Sequence, residues 1–229
     1  MTLPLEGHAD KIAAAAQGSP EWLRQRTGFV TASRFADVMD FRKDGKPGAK
    51  REAYLYETVI SRLTGFAPER YVTDAMQWGT DHEPAARMAY ETATGAIVES
   101  VGFARHPTIK MCGGSVDGLI DSDGMIEIKC PNTKTHLVTV MSHVCEHLPQ
   151  VQGYLWITGR QWADFISYDP RLPDGLSLYI QRIQRDDAYI DKLADAVIKF
   201  IAEANDMYEE LAKKITVPDF PTNELALEP

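Results

Sequence analysis

A mixed α/β fold, with a central sheet flanked by helices, is what the apolar pattern of this chain predicts. Three stretches carry that expectation. Residues 114–120 and 125–130 are short, apolar and partly β-branched, and Asp121-Ser122-Asp123-Gly124 between them has the composition of a turn, so the pair reads as an antiparallel hairpin. Residues 162–168 and 176–183 alternate with the period of strands. Residues 187–214 repeat apolar side chains at helical spacing, at Ile190, Leu193, Val197, Phe200, Ile201 and Met207.

The remaining elements follow in order. Residues 1–18 are Ala-rich and read as a loosely held arm with a short helix, and residues 21–26 as a helical turn. Thr31 or Ser33 is placed to cap a helix running to about Met39. Residues 53–63 have helical periodicity that stops before Gly65, and 73–94 form a long helix interrupted or restarted near Pro84. Strands are expected around 97–105, then the hairpin, then helices over 135–141 and 148–158. There is no internal repeat or low-complexity tract.

Composition narrows the class. With 229 residues and 44% hydrophobic content, the chain can bury one large core and is expected to form a single domain. Cys112, Cys130 and Cys145 include no C-x-x-C pair, which points to reduced thiols in a cytoplasmic protein. No run of about 18 apolar residues and no basic-then-apolar amino terminus occurs, so neither membrane spanning nor secretion is expected. A net charge of −9 sits awkwardly with a polyanionic partner, but a whole-chain sum is not a surface map. Arg42, Lys43, Lys46, Lys50 and Arg51 cluster within residues 41–51, beside Gly45, Pro47 and Gly48. That stretch reads as a mobile basic loop at the entrance of a nucleic-acid site, or equally as a solvated loop without a partner. Acidic residues collect over 186–210.

The chemistry concentrates in Asp117 and Glu127-Ile128-Lys129. Carboxylate oxygens suit a hard cation such as Mg²⁺, and a lysine beside them supplies a fixed positive charge next to a water attacking phosphorus. Register decides whether these groups meet, because a one-residue slip turns every side chain to the other face. With a Ser122-Asp123-Gly124 loop and Gly124 left-handed, Asp117 lies opposite Lys129 and Leu119 opposite Glu127, and all three charged groups share a face. An ordinary surface hairpin with a Glu–Lys pair fits the same spacing. His143 and His147, with Cys145 between them, have i, i+4 spacing but lack the zincin glutamate, and read as structural or surface residues. No phosphate-binding P-loop, nucleophile elbow or dinucleotide fingerprint is present.

Four blocks from Trp22 to Arg171 resemble the YqaJ-type viral recombinase family, which includes the phage lambda exonuclease, in the PD-(D/E)xK nuclease superfamily. They are Arg26-Thr27-Gly28-Phe29-Val30-Thr31-Ala32-Ser33; Trp78-Gly79-Thr80-Asp81-His82-Glu83; Ser115-Val116-Asp117-Gly118-Leu119 with Glu127-Ile128-Lys129-Cys130-Pro131; and Gln150-Val151-Gln152-Gly153-Tyr154-Leu155-Trp156 with Tyr168-Asp169-Pro170-Arg171. Val116 stands where the superfamily has proline, a position without ligand chemistry.

The resemblance implies a restriction-endonuclease-like core and an ATP-independent 5′-to-3′ exonuclease on linear double-stranded DNA that leaves a 3′ overhang. It implies two Mg²⁺ ions, with Mn²⁺ able to substitute. Asp117, Glu127 and the main-chain carbonyl of Ile128 would hold one ion, and Glu83 would help hold the second. Lys129 would orient and deprotonate the attacking water or stabilise the pentacovalent phosphate. Gln150 would hydrogen-bond the lysine or the water. Arg26, Ser33 and Ser115 would receive a 5′-terminal phosphate, with Trp22 beside the DNA or in the core. A homotrimeric ring, a phage-type single-strand annealing partner and a bacterial host cytoplasm complete the expectation. An endonuclease or repair nuclease of different polarity on the same core is the first alternative, and a DNA-end-binding factor with a decayed centre, the second, is disfavoured by the intact Asp117, Glu127 and Lys129.

Overall fold

The structure, a computed structural model, describes residues 18–66 and 72–215. The expected arm over residues 1–18 therefore lies outside the described residues, save Gly18. Seven helices and seven strands follow one another in the described chain. They are α1 (Pro20–Arg26), β1 (Val30–Thr31), α2 (Phe35–Val38), α3 (Ala49–Thr64), α4 (Asp74–Thr94), β2 (Phe103–Arg105), β3 (Cys112–Ser115), β4 (Gly118–Ile120), β5 (Gly124–Lys129), α5 (Thr133–Ser142), α6 (Leu148–Thr158), β6 (Trp162–Tyr168), β7 (Leu178–Gln184) and α7 (Asp187–Ala212).

Two sheets replace the single central sheet of the expectation. β1-β3-β2 form one, with β1 parallel and β2 antiparallel to β3. β4-β5-β6-β7 form the other, antiparallel at both edges and parallel between β5 and β6, where α5 and α6 make the crossover that a parallel pair requires. The expected strand over 114–120 is thus two strands, and the chain changes sheets at Val116 and Asp117.

The hairpin register also differs. Leu119 pairs with Met125 and Ile120 with Gly124, so the loop is Asp121-Ser122-Asp123 and the left-handed residue is Asp121, at φ 45°. Continuing that register sets Asp117 across from Glu127, not Lys129. The shift is two residues, so each side chain keeps its face and the charged groups still converge.

β5 sorts its side chains by alternation. Met125 enters a large core with Phe35, Tyr54, Leu155, Phe165, Leu193 and Phe200, under α3, α6 and α7. Ile126 and Ile128 enter a second core on the other face, with Ala86 and Tyr90 of α4 and Ile166 of β6. α4 runs unbroken through Pro84. The lost ladder bond is tolerated because residues on both sides of Pro84, Trp78 and Ala86, pack on the same core.

Other boundaries moved for local reasons. Thr31 makes no side-chain cap, and the expected helix to Met39 is a 3₁₀ turn (Ala32–Arg34) followed by the single turn of α2. In the expected basic loop, Phe41 bridges Pro47 and Arg42 donates its amide to Lys46, so residues 41–47 form a tight turn. Arg51 leaves the cluster altogether: it is 5% exposed, paired with Glu203 at 2.7 Å and set over Phe41 and Phe200. His143 and His147 lie on the loop between α5 and α6, so their i, i+4 spacing is not helical. The three cysteines are free thiols, and among the described residues no helix is long and apolar enough to cross a membrane.

The exit of β6 is tied to the exit of β5. Asp169, fully buried, accepts from Arg171 at 2.7 and 3.0 Å, and Arg171 also donates to the Pro131 carbonyl and stacks on Trp78 of α4 at 4.2 Å. Burial alone would raise the Asp169 carboxyl, but bonds from the Arg171 and Thr133 side chains outweigh it and hold the acid at about 2. A depressed acid contributes stability above its unfolded value, about 3.9, and loses it as pH falls through the folded one. Asp169→Asn is therefore expected to unfold at lower temperature than wild type near neutrality, with the gap narrowing as pH falls from about 4 towards 2. Melting temperature against pH for both proteins checks this.

Candidate active site

The site forms where β5 ends between α4 and α6. Glu127 and Lys129 share the β5 face that points to α6, opposite Ile126 and Ile128. Glu127 is 1% exposed. Its Oε1 accepts from Lys129 Nζ at 2.5 Å and from Gln150 Nε2 at 2.7 Å. Gln150 is itself placed by α6 and donates to Tyr154 Oη at 3.2 Å. Asp117, also buried, reaches across to β5, where its Oδ2 accepts the Ile128 amide at 2.7 Å. Glu83 comes in from α4, lining a cleft of about 460 Å³ with Lys129, Thr135 and His147.

The electrostatics are those of crowded acids. Burial, reinforced by Asp117, lifts Glu127 to about 8 and Glu83 to about 7. Burial raises Asp117 as well, against the pull of Lys129, the Ile128 amide and Arg87. Burial works against a charge on Lys129, but Glu127 and Asp117 outweigh it and raise the ammonium, which stays protonated. His147 is pushed down to about 4 by burial and by Lys129, so it is neutral there.

These residues fit a hard divalent cation. Glu127 Oε2 is buried without a hydrogen-bond partner. An orphaned carboxylate oxygen beside a second buried carboxylate is costly unless a cation satisfies both. Oxygen donors are what Mg²⁺ takes. Among the described residues no three acidic, histidine or cysteine side chains already form a ligating group. Asp117 and Glu127 are the buried carboxylates at this point, and Glu83 lines the cleft beside Ile128 and Lys129.

The residues expected to meet a 5′-phosphate lie on α1, on the 3₁₀ turn after β1 and at the end of β3. Trp22 Nε1 donates to Ser115 Oγ at 2.8 Å, and the Arg26 guanidinium lies over the indole at 4.1 Å. Trp22 is 8% exposed, and it holds both of these neighbours. Ser33 is exposed on the 3₁₀ turn, and its hydroxyl stands 3.3 Å from Thr31 Oγ1. Trp22 and Arg26 also line a cavity of about 480 Å³ between α1 and α3. One residue at the site escaped the sequence reading: Arg87, one helical turn after Glu83, donates to the Asp117 carbonyl. Its i, i+4 spacing from Glu83 was the available signal.

A sheet with a buried acid–acid–lysine cluster at the end of its central strand, flanked by helices, defines the nuclease fold of the PD-(D/E)xK class. The chain belongs to the YqaJ-like viral recombinase domain family, whose model matches residues 21–161. It is 45% identical to an alkaline exonuclease (LHK-Exo) from Laribacter hongkongensis, with TM-score 0.79, covering 86% of this chain and 97% of that one. The same exonuclease in complex with dAMP matches with TM-score 0.80 at the same identity and coverage. A phage related exonuclease from Haemophilus somnus, 18% identical with TM-score 0.64 over 82% of this chain and 96% of that one, shares the fold. No curated protein matches the chain.

Removing the lysine should expose the strain of this cluster. Lys129→Met is expected to destabilise the chelator-treated protein by about 3–5 kcal/mol, the usual consequence of leaving a buried partner unpaired. Urea unfolding with and without added Mg²⁺ measures it, and the ion should stabilise the variant more than wild type.

Proposed function

We propose that this chain is an ATP-independent, Mg²⁺-dependent exonuclease that digests the 5′ strand of linear double-stranded DNA, releasing 5′-mononucleotides and leaving a 3′ overhang. The observation that carries the reading is Glu127, buried with one oxygen tied to Lys129 and Gln150 and the other open. The likeness to an alkaline exonuclease supports the reaction class.

Asp117, Glu127 and the Ile128 carbonyl would hold one ion and Glu83 would support a second. Bound there, divalent cations would supply positive charge to the phosphate and would lower the pKa of an attacking water. Lys129 is held protonated by its two carboxylates, which favours its acting as a fixed charge that orients the water and stabilises the crowded phosphate over its acting as proton acceptor. Gln150 would help hold Glu127 in place through the bond it donates to Oε1. Arg26 and Ser115, fastened through Trp22, offer a guanidinium and a hydroxyl to a terminal phosphate, with the Ser33 hydroxyl as a further donor. Ser115 lies two residues before Asp117, which ties end recognition to cleavage through the chain itself.

The reading extends to a homotrimeric ring around the DNA, with exposed Lys43, Lys46 and Lys50 towards the channel and the acidic face of α7 outside. It also includes delivery of the 3′ strand to a phage-type single-strand annealing protein in a bacterial cytoplasm. Family likeness supports these elements.

The test is Mg²⁺-dependent digestion of a singly end-labelled linear duplex with a 5′-phosphate. Wild type should release labelled 5′-mononucleotide without ATP, and Lys129→Ala should be slower by about 10²-fold or more. Binding of ends with no nucleotide release by wild type would sink the enzyme reading, and internal nicking would sink the exonuclease one. Arg26→Ala should lose more rate on 5′-phosphorylated ends than on 5′-hydroxyl ends, and equal loss on both would remove the phosphate pocket.

A further inference from the structure

α4 docks on the sheets through a polar stripe. Tyr90 donates to Asp164 Oδ2 at 2.6 Å, Glu91 accepts the Val98 amide at 2.9 Å, and Glu83 points into the cleft. Arg87 lies between them on the same face, and its guanidinium forks. Nη1 donates to Ser100 Oγ at 2.7 Å and Nη2 donates to the main-chain carbonyl of Asp117.

The two acceptors sit on segments that pair with each other. Glu99 and Leu119 exchange amide and carbonyl bonds, each at 2.9 Å, so Ser100 and Asp117 flank one antiparallel bridge. Asp117 is where the chain crosses from β3 in one sheet to β4 in the other, outside both strands. The next residue, Gly118, lies so close to the preceding segment that a Cβ would stand 2.1 Å from Val98 Cγ1. The strand pairing thus stops just short of Asp117, and the bond to its carbonyl comes from Arg87.

We propose that Arg87 is a positioning residue for divalent-cation binding: it fixes the backbone of Asp117 at the junction of the sheets and thereby aims the Asp117 carboxylate. This rests on the metal-dependent reading above. Two effects of Arg87 oppose each other, since its charge repels a cation while its fork places the ligand. Arg87→Lys separates them, because lysine keeps the charge but is a point donor that does not span both acceptors. Groups that orient metal ligands typically change affinity by about 10–100-fold when altered.

The experiment is calorimetric titration of Mn²⁺ into the DNA-free protein, for wild type, Arg87→Lys and Ser100→Ala, with melting temperature as a check on folding. Arg87→Lys should bind at least about tenfold more weakly, Ser100→Ala should lose less, and both should melt close to wild type. In digestion assays the half-saturating metal concentration should rise for Arg87→Lys, and excess metal should restore turnover. Equal Mn²⁺ affinity in wild type and Arg87→Lys would overturn the proposal alone. So would turnover reduced at every metal concentration with unchanged half-saturation, the mark of a smaller folded fraction. Absence of Mn²⁺ binding by wild type would overturn the metal reading and this proposal with it.

Discussion

Two carboxylates buried side by side, Asp117 and Glu127, set the terms for the structure around them. Removing a carboxylate from water costs several kcal/mol even after relaxation, roughly, and a like charge beside it adds to that. Neighbouring elements answer part of the cost. β5 contributes the Ile128 amide and Lys129, α6 contributes Gln150, and α4 brings Arg87 to the Asp117 carbonyl. One oxygen of Glu127 is left unanswered. The site is a deficit of positive charge enclosed by well-packed strands and helices.

The enclosure depends on β5 being central in its sheet. Strands on both sides fix its register, so alternation sets Met125, Glu127 and Lys129 on one face and Ile126 and Ile128 on the other. α4 and α6 then dock on opposite sides, each carrying a polar group to the strand's end. α4 relies on directed polar contacts, Tyr90 to Asp164 and Glu91 to Val98, more than on a broad apolar stripe. Directed bonds specify rotation about the helix axis more tightly than aliphatic packing does. Glu83 and Arg87, one turn apart, gain a defined orientation from that.

The amino-terminal group is coupled to the same cluster by covalent distance. Ser115 and Asp117 are two residues apart, at most about 7 Å along an extended chain. The Trp22–Ser115 bond therefore ties α1, and Arg26 above the indole, to the strand crossover that bears Asp117. The basic stretch behaves differently. Its last member, Arg51, pairs with Glu203 and stacks on aromatics, so it stabilises the α3–α7 contact, while Lys43, Lys46 and Lys50 stay exposed.

Strong periodicity was enough to read α6, β6 and most of α7, and the Asp117, Glu127, Lys129 grouping was legible from composition and alternation. The register was misread by two residues because Asp-Ser-Asp and Ser-Asp-Gly are both workable loops, and local turn energies do not choose between them. The tertiary fit chose: at Gly124 a Cβ would stand 2.1 Å from Trp162 of β6, so that glycine is spent on close strand packing and not on the turn. The split into two sheets, the burial of Arg51 and the fork of Arg87 were likewise out of reach, since each depends on partners many residues away. By itself the sequence determined which side chains carry chemistry and which face of each element they occupy, because alternation and helical period are local. Which of them meet was decided only by the tertiary structure, since burial and hydrogen-bond partners arise when distant segments pack.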